Sequence, residues 1–201
     1  MKRIKTEIIR QAHDGLDEAN RQIREFQQLS DENLRHRPQP NQWNVLDCLE
    51  HINLSYGDYF PRMEQAVRKA SPTDRATYTP GLFGQWFAKG QRPQQGQRKM
   101  KMKTFKNLVP YTDQKKTASI FEEVLQYHAQ FKSLLDRSAD LDWNRVKVVS
   151  EVGPILRFKL GDCFRLLVAH TERHVLQAQE VLSTRPTETQ SVKSHHAGTP
   201  S

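Results

Sequence analysis

Apolar residues recur every third or fourth position over four separate stretches of the chain. Ile4, Ile8, Ala12, Leu16, Ala19, Ile23 and Phe26 form the best-patterned series, the spacing that places side chains on one face of an amphipathic helix. A second series runs through Leu49, Ile52, Tyr56, Phe60, Met63 and Val67. Asn44 is placed to cap it, with Asp47 three residues on at the positive end of the helix dipole, and Pro61 predicts a kink or a break. A third helix is expected from about Gln114 to Ser138 on Ile120, Val124, Tyr127, Phe131, Leu134 and Leu135, with Thr112 or Asp113 as its cap. The fourth covers Leu160 to Leu182, with Phe164, Leu167, Ala178 and Leu182 on one face and Val175 on its flank.

The stretches between are of different kinds. Residues 30–42 are polar and hold Pro38 and Pro40, so they read as a connection. From Ser71 to Pro110 the periodicity fails, and Pro72, Pro80, Gly81, Gly84, Gly90, Pro93 and Gly96 punctuate the chain. Within this insertion, Gly81 to Lys89 reads as a short helix or an apolar plug, and the rest as loop. Residues 139–159 form a connection with a brief extended piece around Val146, Val148 and Val149. After Leu182 little remains to bury, which predicts a disordered tail over 185–201. The fold class that follows is all-α: a four-helix bundle over residues 1–184, with a long crossover insertion (71–112) between helices 2 and 3.

Composition adds three things. A hydrophobic content of 36% and a mean hydropathy of -0.80 are low for 201 residues, consistent with solvated loop or tail beside a bundle core. The net charge of +8 is local: Arg75, Lys89, Arg92, Arg98, Lys99, Lys101, Lys103 and Lys106 face no acid between residues 75 and 112, and the remaining basic and acidic residues balance. A charge confined to one loop argues against nucleic acid as the main partner, although its mixture with Tyr78, Phe83, Trp86, Phe87 and Phe105 suits single-strand stacking. Two cysteines, Cys48 and Cys163, are too few for a disulfide framework, and both read as core thiols. The charged start, without an apolar h-region, and the lack of a run of roughly 20 apolar residues lead to the expectation of a cytoplasmic protein without a membrane partner.

The chemistry concentrates on the fourth helix. His170 and His174 lie one turn apart, so their imidazoles can converge on one point at the edge of the buried face. Glu172, between them, points the other way and reads as a solvated charge. Asp47, a turn before His51, is explained by its capping position, with orientation of the His51 ring as the alternative. Gln177 suits a hydrogen bond in the site or packing between helices equally. His128 fits a core histidine, a substrate contact or an exposed residue. His195 and His196 belong to the tail.

The segments NQWNVLDCLEHINLSYGDYF, MKTFKNLVP and FRLLVAHTERHVLQAQEVL resemble the DinB-like metal-dependent superfamily. The likeness extends over about residues 4–182. It implies a four-helix bundle in which His51, His170 and His174 hold a divalent transition metal (zinc, nickel or iron). It also implies a transferase or hydrolase acting on a small-molecule substrate, in some relatives with a low-molecular-weight thiol. Asn44 stands where that family often has Ser, an equivalent cap. Three neutral imidazoles leave open positions, which is the arrangement of a catalytic metal site. No catalytic side chain is assigned. The alternative is a protein that binds metal or a small ligand without turnover, and a bundle of this kind can also pair as a homodimer.

Overall fold

The computed structural model describes residues 2–91, 104–150 and 153–184. The expected tail and most of the basic run, Arg92 to Lys103, lie outside these residues. In chain order the elements are β1 (Arg3–Ile4), α1 (Lys5–Phe26), α2 (Asp31–Arg35), α3 (Val45–Arg68), β2 (Thr77–Tyr78) and α4 (Leu82–Gln91). A 3-10 turn (Lys106–Leu108), α5 (Thr117–Arg137), β3 (Lys147–Ser150), β4 (Gly153–Lys159) and α6 (Leu160–Ser183) follow. The four expected long helices are α1, α3, α5 and α6. α3 packs against α5 and α6, and α1 against the same two, so α1/α3 and α5/α6 are the diagonal pairs of the bundle.

The core is built from the periodic residues. Leu16 and Ile23 of α1, Ile52 and Tyr56 of α3, Ile120 and Phe131 of α5 and Phe164 of α6 are fully buried. Each such side chain contributes roughly 1.5–3 kcal/mol relative to exposure. The face series of α1 is buried from Ile8 to Phe26, as its spacing requires.

Several local expectations are corrected. α3 runs through the exposed Pro61 to Arg68 without a break. α5 starts at Thr117 with Lys116 before it and no side-chain cap; the expected caps Thr112 and Asp113 fall short of the helix start, and the Thr112 hydroxyl donates to Asp47 instead (2.7 Å). The polar connection contains α2, capped by Ser30 and carrying one buried apolar residue, Leu34. The connection after α5 holds an antiparallel hairpin in which Val148 opposes Phe158, both buried, with an irregularity after Val149.

The insertion is anchored where it begins. Arg3 and Ile4 pair with Tyr78 and Thr77. The Tyr78 hydroxyl donates to Asp162 at the start of α6 (2.5 Å), whose other oxygen accepts from the Gly81 amide (3.0 Å). Gly161 lies beneath the Tyr78 and Trp143 rings, where a Cβ would come within 2.8 and 2.9 Å of their carbons. The stretch expected as a short helix or plug forms a helix from Leu82 onward, α4, packed against α6. Among the described residues no helix is long and apolar enough to cross a membrane.

Candidate metal centre

His51 lies in the second turn of α3, a helix whose start is fixed by a reciprocal cap. Asn44 Oδ1 accepts from the Asp47 amide (2.7 Å), and Asp47 Oδ2 accepts from the Asn44 amide (3.0 Å). Asp47 also meets Arg37 and the Thr112 hydroxyl. The last contact fastens the strand of chain before α5 along the first turns of α3. That brings the Leu108 carbonyl, four residues before Thr112, to 2.7 Å from His51 Nδ1. Asp47 thus makes no contact with the imidazole itself; it holds the segment that does.

Packing of α6 on α3 brings His170 and His174 to His51. The three ring centroids are separated by 4.5 to 4.9 Å, and one nitrogen from each ring lies within 4.8 Å of the others. Among the described residues this is the one cluster of three or more potential ligand side chains. His51 and His174 are buried, and His170 is half-buried. Trp43, just before α3, walls the cluster at 4.8 Å from the His51 ring and 5.7 Å from that of His174.

Each ring has one nitrogen engaged. His51 Nδ1 meets Leu108 O, His170 Nε2 meets Ser55 Oγ at 3.0 Å, and His174 Nδ1 meets Gln177 Oε1 at 3.1 Å. Gln177 therefore belongs to the site. Ser55 and the Leu108 carbonyl are not identifiable from sequence: serine mid-helix is unremarkable, and a backbone carbonyl 57 residues away leaves no residue signal.

Burial decides the charge of the cluster. Desolvation, opposed by the bond to Leu108 and reinforced by the nearby Arg173 cation, lowers the His51 pKa to about 4. His170 and His174 are held well below the usual histidine range, first by burial, then by neighbouring imidazoles and Arg173. All three are neutral near pH 7 and keep a lone pair for a metal. A set of three neutral imidazoles without a carboxylate suits zinc, nickel or iron(II). The residues fit the group.

The remaining candidates lie elsewhere. Glu172 is half-buried and directed at α1, its Oε1 3.0 Å from where a Gly15 Cβ would stand, so it is neither fully solvated nor at the imidazoles. His128 is completely buried between helices, bonded through Nδ1 to Asn20 Oδ1 (2.6 Å). Cys48 and Cys163 are buried thiols not joined in a disulfide, and burial pushes the Cys163 pKa up, which removes it as a nucleophile.

No curated protein and no solved structure matches the chain. The sequence profile of the DinB superfamily matches residues 16–178, a span that includes Trp43, Ser55 and all three histidines. With a helical bundle and a three-histidine cluster between two of its helices, the chain belongs to the DinB superfamily.

Proposed function

We propose that the protein is a metal-dependent enzyme, a transferase or hydrolase for a small molecule, with a low-molecular-weight thiol as co-substrate. The supporting observation is the convergence of three neutral imidazoles, two buried and one half-buried, with no carboxylate among them. Such a tripod leaves coordination positions for substrate. His51, His170 and His174 would hold a divalent transition metal, which would lower the pKa of a bound thiol or water and so supply a nucleophile at neutral pH.

The chain contributes the surroundings. Burial keeps the imidazoles unprotonated, so they remain ligands down to mildly acidic pH. Trp43 excludes water from one side, and the Arg173 cation favours an anionic group such as a thiolate. With both of its own cysteines buried, the protein draws any reacting thiol from outside.

The test is turnover by protein loaded with zinc, nickel or iron, assayed with a panel of thiols against electrophiles and of activated esters. Metal-dependent consumption that disappears in His170→Ala supports the proposal. Full metal occupancy with no turnover across the panel would leave a binding protein without catalysis and overturn the enzymatic reading.

A further inference from the structure

The three imidazoles are held in different ways, and Ser55 makes the difference. Ser55 lies one turn after His51 on α3 and is 3% exposed. Its hydroxyl carries a single proton and two lone pairs. Oγ is 2.8 Å from the His51 carbonyl oxygen, an acceptor only, so the proton goes there, as is common for a serine inside a helix. Toward His170 Nε2, 3.0 Å away, the hydroxyl then offers only a lone pair. His170 must supply the hydrogen of that contact: Nε2 is protonated, and the free lone pair sits on Nδ1.

The other two rings carry their hydrogen on the opposite nitrogen. Leu108 O and Gln177 Oε1 are acceptors, so His51 and His174 are protonated at Nδ1 and keep their lone pairs on Nε2. Each ring is neutral in either tautomer, so the difference is one of direction and not of charge.

We propose that Ser55 is a positioning residue that fixes His170 as an Nδ1 ligand, making a mixed tripod of one Nδ1 and two Nε2 nitrogens; this rests on the metal-binding reading of the cluster. Nδ1 stands closer to the helix backbone than Nε2. Ligation through it would set an ion closer to α6 at His170, while His51 and His174 would reach with their outer nitrogens. The hydroxyl links the two ligand helices through one atom, since it contacts the backbone of His51 and the ring of His170 together. Loss of such an outer hydrogen bond generally lowers metal affinity by about 10–100-fold.

The experiment is long-range proton–nitrogen correlation NMR on protein with nitrogen-15-labelled histidines, metal-free and zinc-loaded, together with zinc affinity by competition with a chromophoric chelator. The expected spectrum shows His170 protonated on Nε2 and bound through Nδ1, and His51 and His174 the reverse. Ser55→Ala should lose about 10–100-fold in zinc affinity and release the His170 tautomer, while Ser55→Thr, which keeps the hydroxyl, restores both. Circular dichroism confirms that each variant is folded. His170 protonated on Nδ1 in wild type, or unchanged zinc affinity in Ser55→Ala, overturns the assignment. If wild type binds no zinc, the metal reading fails separately. The metal-free spectrum then decides for Ser55, with an Nε2 proton on His170 supporting its role and an Nδ1 proton refuting it.

Discussion

Acid should weaken this fold through His128, a histidine outside the metal cluster, by an amount the structure permits to be worked out. His128 on α5 is fully buried. Nδ1 donates to Asn20 of α1, the ring meets Tyr56 of α3 edge-on at 5.4 Å, and Nε2 has no hydrogen-bond partner among the described residues. A second proton on Nε2 would be a buried charge without an acceptor. Desolvation, and then the Lys132 cation on the same helix, lower the pKa from 6.5 to about 3. A histidine whose folded pKa is depressed contributes stability that is complete above its unfolded pKa. That stability is lost as pH falls from there through the folded value. Between pH 7.5 and 5 the unfolded chain takes up this proton and the folded one does not, which removes about 2 kcal/mol at 1.36 kcal/mol per pH unit.

The assay is urea unfolding followed by circular dichroism at both pH values, wild type beside His128→Gln, at matched metal content. The triad histidines have depressed pKa values too, so wild type loses more than His128 alone accounts for, and the difference between the proteins isolates it. His128→Gln should be less stable at pH 7.5 by about 1 kcal/mol, the usual net value of a hydrogen bond. Its loss of stability on acidification should be smaller than that of wild type by about 2 kcal/mol. Equal losses in the two proteins would refute the reasoning.

Two further outcomes follow from packing and from the strap beside the site. Gly161→Ala forces a Cβ against the buried Tyr78 and Trp143 rings, and overpacking of this kind costs about 1–3 kcal/mol. Calorimetry should register a fall in Tm of about 2–4 °C per kcal/mol, and an unchanged Tm would mean that the rings yield freely. Thr112→Val removes the hydroxyl that Asp47 accepts and frees the Leu108 carbonyl from its register on His51. Zinc affinity should drop about 10-fold with helical content intact, whereas unchanged affinity would show that Leu108 holds its place without the Asp47–Thr112 bond.

The four long helices were legible because each has an apolar stripe of seven turns or fewer with no competing pattern, and α3 also announces its start through Asn44 and Asp47. The short elements were not. α2 has one apolar residue to bury, and β4 begins Gly-Pro, which masks a strand that exists because Phe158 packs opposite Val148. Pro61 misled because a proline on the exposed side of a long, well-packed helix is carried by the contacts on either side. At the site, the helical spacing of His170 and His174 and the resemblance that added His51 picked out the three histidines that the fold brings together. Their supports were hidden, since Leu108 acts through its backbone and Ser55 only when α6 lies against α3. Gln177 was half visible: its spacing from His174 allowed the contact, and the packing of α6 selected it.

The most direct measurement is metal content by plasma mass spectrometry on tag-free protein carrying His195→Ala and His196→Ala, so that tail histidines contribute nothing. His51→Ala and His170→Ala are compared in that background after growth with zinc, nickel and iron. The three-histidine site predicts about one equivalent of a transition metal, lost in both variants while their helical circular dichroism persists. No metal in the parent protein, or full metal in folded His170→Ala, would contradict it.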